Sequence, residues 1–178
     1  MFDWLSSRLE RFYCQLGEVA SIGATCHLLR ICGKTILVDF GVALSRSGEF
    51  QIQGYPAGNF LVNIQIDLII VTHAHLDHFG AIARLIRHHP EAKVIVSKPA
   101  LEAIAFMLSD SLKIMKDEQN RANRLGVNQG EPLFNEIDRL NFLSNPNMVV
   151  IDLPHWLNTG EDLGANWADW KIGFHDSG

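Results

Sequence analysis

The amino-acid sequence predicts an α/β (α+β) domain with a mixed sheet, and three observations carry that reading. Leu68–Val71 is apolar without alternation and has a strand's length, the pattern of a strand buried on both faces of a parallel sheet. A helical pattern over residues 79–89 separates it from a second apolar run, Lys93–Ser97, and strand–helix–strand order is how parallel neighbours are connected. Upstream, the β-rich runs 27–32 and 35–40 flank Gly33-Lys34, a two-residue glycine turn that predicts an antiparallel hairpin.

The remaining elements follow in order. Trp4, Leu5, Leu9 and Phe12 recur at near-helical spacing, so residues 1–12 read as an amphipathic extension ahead of a single domain over 13–178. Residues 45–60, rich in Ser, Gly and Gln with Pro56, read as an irregular loop. Pro99, favoured in a first helical turn, opens a long helix with Leu101, Ile104, Ala105, Leu108, Leu112 and Met115 along one stripe. Its prolongation carries Lys113, Lys116, Arg121 and Arg124 in one arc, read as a solvated face before a nucleic-acid contact because the stripe is short and the chain acidic. Residues 131–142 predict a helix stopped by Asn145-Pro146, and Met148–Ile151 a strand. Trp170, Ile172 and Phe174 then alternate with Lys171, Gly173 and His175 at the period of a half-buried strand.

With 47% hydrophobic and 20% charged residues over 178 positions, the composition is that of a globular domain. No apolar run approaches the roughly 18 residues of a spanning helix, and Asp3 stands where a secretory leader wants positive charge, so the expectation is a cytoplasmic protein without a membrane partner. Cys14, Cys26 and Cys32 are odd in number and form no C-x-x-C, so they read as buried free thiols. The net charge of −5 is uneven: residues 131–178 hold two basic side chains against eight acidic ones, a poor phosphate-binding surface.

The chemistry is concentrated in Thr72-His73-Ala74-His75-Leu76-Asp77-His78, between the apolar strand and the helix. Residues two apart in an extended segment point the same way, so His73 and His75 can bind one metal together. Where the chain turns into the helix, Asp77 and His78 can reach a second metal nearby, although Asp77 also stands where an aspartate could cap that helix. Imidazoles with a carboxylate and no thiolate suit zinc, with manganese or iron also compatible.

This H-x-H-x-D-H at the end of a buried strand resembles the signature of the metallo-β-lactamase superfamily. Residues 23–29, followed by Gly33-Lys34-Thr35-Ile36-Leu37-Val38-Asp39-Phe40-Gly41, are similar to that family's first sheet and first acidic motif. Ser97-Lys98-Pro99 and the helix through Ser109-Asp110-Ser111 are similar to its β-CASP branch, which processes RNA and DNA. The resemblance implies the N-terminal half of an αββα sandwich and a hydrolase with two zinc ions, His73 and His75 on the first, Asp77 and His78 on the second. Asp77 and Asp39 are then the catalytic carboxylates, Asp39 by orienting the site, and the substrate is RNA or another single-stranded nucleic acid.

The family completes its site with further ligands in later motifs, and Phe174-His175-Asp176-Ser177-Gly178 resembles the approach to the third, so the domain is expected to be incomplete at its C-terminus. His175 is read as lining the pocket or lying on an exposed strand face, and Asp176 as preceding the missing ligand rather than replacing it. The first sheet is likewise expected to lack the sheet that covers its apolar face. Two alternatives stand beside the nuclease: a hydrolase of small thioesters, lactams or lactones with the same metals, and a non-catalytic fragment serving as a binding module. His88 and His89 read as cationic helix caps beside Arg87, and Trp156, Trp167 and Trp170 with His155 as packing residues before base-stacking ones.

Overall fold

Cys32 and Gly33 both have positive φ, 50° and 76°, which is the backbone of a tight turn between twisted antiparallel strands. The hairpin therefore turns one residue earlier than Gly33-Lys34, joining β2 (His27–Ile31) to β3 (Lys34–Val38) with Ile31 opposite Lys34. The structure, a computed structural model, describes residues 11–16, 24–43, 61–127, 132–167 and 170–175. The loop expected at 45–60 and most of the expected N-terminal extension lie outside the described residues. Arg11 and Phe12 do not extend away from the domain; they begin β1 (Arg11–Gln15), which pairs antiparallel with β2.

Beyond β3 the sheet turns parallel. β4 (Leu68–Val71) lies between β3 and β5 (Lys93–Ser97), and β6 (Met148–Ile151) completes the order β1-β2-β3-β4-β5-β6. Alternation sorts the side chains to two faces. Leu37, Ile69, Val71, Val94 and Val96 meet a helical layer through Phe79, Ile82, Leu85, Ile104, Leu108 and Phe142. Ile36, Leu68, Ile70, Ile95 and Ile151 meet the other face's cover, Leu157, Leu163 and Trp167. Both faces of β4 are thus buried, which is why its sequence is apolar throughout.

That second cover corrects the expectation of a bare sheet. β7 (His155–Asn158) pairs antiparallel with β8 (Lys171–Phe174), and a π-helical turn at Thr159–Leu163 leads out of β7. Trp170 and Trp167 pack in this layer with ring centroids 6.0 Å apart, whereas Trp156 is 61% exposed.

The helical pattern over 79–89 becomes two short helices, α1 (Leu76–Phe79) and α2 (Ile82–Ile86). They part at Gly80-Ala81 because the Ala81 amide donates to the carbonyl of Phe40, 3.0 Å away, instead of continuing the helix. Helix α3 (Lys98–Leu125) starts on the Ser97 side chain, which accepts from the Ala100 amide, and stops at left-handed Gly126. Helix α4 (Glu136–Leu143) begins later than residue 131, because Asn135 and Asp138 form a reciprocal capping box there. Buried Asp138 also pairs with Arg87 at 3.3 Å. The cysteines are unpaired, but only Cys26 is buried; Cys14 is half-buried and Cys32 lies exposed in the hairpin turn.

Candidate metal centre

Parallel strands β3 to β6 all end at one edge of the sheet, so the residues following them gather there: Asp39 after β3 and Thr72-His73 after β4. Main-chain hydrogen bonds hold the two segments together. Asp39 N–H donates to Ile70 at 2.9 Å, Phe40 N–H to His78 at 2.7 Å and Val42 N–H to Leu76 at 3.0 Å. Gly41 N–H donates to Thr25, whose own N–H donates to Asp77 at 2.8 Å. The approach is so close that a Cβ on Gly41 would stand 1.7 Å from the Asp77 carbonyl oxygen, so only glycine fits.

Asp39 has φ of 60°, a left-handed conformation uncommon outside glycine but better tolerated by Asp than by most residues. The twist carries its buried carboxylate under the motif. Oδ1 accepts from the Thr72 amide at 2.8 Å; Oδ2 accepts from the Thr72 hydroxyl and from His78 Nδ1, both at 2.7 Å. Asp39 therefore touches the outer nitrogen of His78 and reaches His73 through Thr72, whose hydroxyl is 2.9 Å from His73 Nδ1. The neighbouring Cys26 thiol is pushed up to about 12, first by burial and then by the Asp39 charge.

The inner nitrogens face one another. His73 Nε2 is 3.0 Å from His75 Nδ1, and His78 Nε2 is 3.6 Å from Asp77 Oδ2. The rings of His73 and His78 lie 3.9 Å apart, and those of His73 and His75 4.6 Å. Burial, then the neighbouring imidazoles of His78 and His75, hold His73 below the ordinary histidine value, which favours a neutral ring with a lone pair to offer. Among the described residues no set of three or more His, Cys, Asp or Glu converges on one point; the four donors meet as two pairs. Two nitrogens on a tetrahedral zinc at 2.0–2.1 Å stand about 3.3 Å apart, so His73 and His75 need open by only a few tenths of an ångström. Donor chemistry and spacing fit a metal.

Asp77 is not the cap of α1: that position belongs to His75, and Asp77 lies in the first turn. His175 packs edge-on against Trp156 at 5.5 Å, and Asp176 lies outside the described residues. Arg87 holds the C-cap position of α2, so His88 and His89 lie just beyond it. Burial pushes both below the ordinary value, helped for His88 by Arg87 and Arg84, and His89 is 7% exposed. Lys113, Lys116, Arg121 and Arg124 are exposed on α3, from about 22 Å along the helix beyond its start at the site end of β5, so this arc lies away from the end that meets the cluster's edge. Sequence reasoning gave no role to Thr72 and no steric role to Gly41; a hydroxyl directly before the first histidine and a glycine two residues after a strand-end aspartate were the available signals.

A mixed sheet between a helical layer and a smaller sheet, with a histidine-carboxylate cluster at the parallel strands' C-terminal edge, defines a metallohydrolase-like architecture. The chain belongs to the metallo-β-lactamase superfamily, whose family model matches residues 22–175. It is 32% identical over 103 residues to the transcription termination factor FttA of Methanococcus maripaludis, covering 58% of this chain and 16% of that protein. It is 22% identical over 162 residues to the endoribonuclease YSH1 of Yarrowia lipolytica, covering 90% of this chain and 19% of that protein. The probable RNase MJ4 of Methanocaldococcus jannaschii matches at 28% over 105 residues, 59% of this chain and 23% of its own length. The chain thus spans about a fifth of the length of these relatives. Among solved structures, the subclass B3 metallo-β-lactamase MEM-A1 aligns with a TM-score of 0.42 at 19% identity, covering 85% of this chain and 49% of that one. Superfamily membership implies a dinuclear metal site.

Proposed function

We propose that the protein is a metal-dependent nuclease of the β-CASP branch that cleaves RNA phosphodiesters, with His73 and His75 holding one zinc ion and Asp77 and His78 a second. The observation that carries this reading is the paired geometry: the outer nitrogens of His73 and His78 are engaged by Thr72 and Asp39, and their inner nitrogens face His75 and Asp77. When bound, paired ions supply a water acidic enough to attack at neutral pH and positive charge for the phosphoryl oxygens. Asp39 fixes the ring of His78 and the backbone of Thr72, so the donors keep their aim without reorganising. The names of the relatives, an endoribonuclease and a probable RNase, support RNA as the substrate class. Three free thiols support a reducing, cytoplasmic setting, and no helix among the described residues is long and apolar enough to cross a membrane.

The test, made on a chain that includes the family's later motifs, is cleavage of labelled single-stranded RNA by the zinc-loaded protein, beside a thioester and a β-lactam. His78→Ala is expected to lower RNA cleavage at least 100-fold with the circular dichroism spectrum retained. Turnover of the thioester or lactam without RNA cleavage would contradict the nuclease reading.

A further inference from the structure

The Thr72 hydroxyl lies between two groups of different hydrogen-bonding capacity. On one side is Asp39 Oδ2 at 2.7 Å, which as a carboxylate oxygen only accepts. On the other is His73 Nδ1 at 2.9 Å, which donates or accepts according to its tautomer. A hydroxyl has one proton, and Asp39 takes it. What Thr72 offers His73 is a lone pair, so the contact forms only if the Nδ1 of His73 carries the proton. We infer that Thr72 is a positioning residue that sets the tautomer of His73, relaying the Asp39 charge so that Nε2 is left as the lone pair facing His75.

The same carboxylate oxygen accepts directly from His78 Nδ1. One buried aspartate thus dictates the tautomers of two histidines, one by contact and one through the hydroxyl. The arrangement is anchored independently, since the Thr72 amide donates to Asp39 Oδ1 at 2.8 Å and keeps the hydroxyl in place. Neutral histidine in water carries its proton mainly on Nε2, the nitrogen that must be bare here, and the partner on the other nitrogen decides which form is present. The relay therefore matters most for the histidine with no direct carboxylate contact. Its value to a metal rests on the metal-centre reading above, whereas the tautomer itself does not.

Thr72→Val keeps the side-chain shape and the backbone donor but deletes the hydroxyl; Thr72→Ser restores it. The experiment records long-range ¹H–¹⁵N correlation spectra of the histidine rings in metal-free wild type and both variants, assigned with His73→Gln and His78→Gln, and a zinc titration against a competing chelator. The wild-type spectrum should show Nδ1–H on both His73 and His78. In Thr72→Val, His73 should move to Nε2–H or a mixture while His78 stays Nδ1–H, and zinc affinity should fall about 10- to 100-fold. Thr72→Ser should match wild type in both readouts. Nε2–H on His73 in the wild type, or an unchanged His73 in Thr72→Val, would overturn the inference. The wild-type spectrum decides even if Thr72→Val fails to fold. A wild type with the expected tautomers but no zinc binding would instead overturn the metal reading and leave the relay standing.

Discussion

Asp39 combines a left-handed backbone, near-complete burial and three hydrogen bonds, a combination that costs conformational energy of order 1–3 kcal/mol and persists because the neighbours dictate it. Asp39→Asn tolerates the backbone and the volume but removes the charge that His78 Nδ1 and the Thr72 hydroxyl point at. We expect zinc affinity to fall about 10- to 100-fold with little change in the thermal midpoint, read by chelator competition and calorimetry; unchanged affinity would remove Asp39 from the site. His89 is a second residue with a distinct signature. Its imidazole bonds the Leu61 backbone, while Nε2 has no partner among the described residues, and burial holds the ring below the histidine value. The unfolded chain takes up a proton near 6.5 and the folded ring only at lower pH. The stability contribution is therefore complete above 6.5, is lost as pH falls from there toward the lower folded value, and levels off below it. Urea denaturation of wild type and His89→Leu between pH 5 and 8 should show a shallower loss in the variant; parallel curves would contradict it.

At the scale of elements, the segment after β3 and the start of α1 behave as one unit, because their amides are exchanged across a gap too narrow for any side chain at Gly41. Gly41→Ala must push the Asp77–His78 peptide away and is expected to cost on the order of 3 kcal/mol and to lose zinc binding; a variant with wild-type urea midpoint and zinc content would show that the backbone gives freely. β4 stands between two clusters, so Ile69→Ala, at a fully buried position, should cost about 2–5 kcal/mol by urea denaturation. Most of these elements were legible. The apolar run of β4, the proline and stripe of α3, and the strand pattern at Lys171–Phe174 each state their period locally. Boundaries were less so: the split between α1 and α2 depends on the Phe40 carbonyl, and the start of α4 on a capping box whose Asn135 and Asp138 lie inside an uninterrupted helical pattern.

For the whole molecule, the fold class and the gathering of His73, His75, Asp77 and His78 at one edge of the sheet were readable because a strand-end H-x-H-x-D-H announces its place in the chain. The cover of the second face was not, since in β7 the larger Trp156 faces solvent and the smaller Leu157 beside it is the buried residue. The relay through Thr72 was also invisible, because it links residues 33 positions apart. Three unpaired cysteines of different exposure give a global check: thiol titration should count three in denaturant without reductant, and Cys32 should react first and Cys26 last in the native protein. A count of one would mean a disulfide and contradict the structure. Whether His73, His75, Asp77 and His78 form a metal centre is decided by elemental analysis for zinc after dialysis of wild type, His73→Ala and His78→Ala. Zinc is expected to be retained by the wild type and lost from both variants, with occupancy near two ions per chain only where the further ligands of the family's later motifs complete the site; zinc contents in the variants equal to that of the wild type would contradict the assignment.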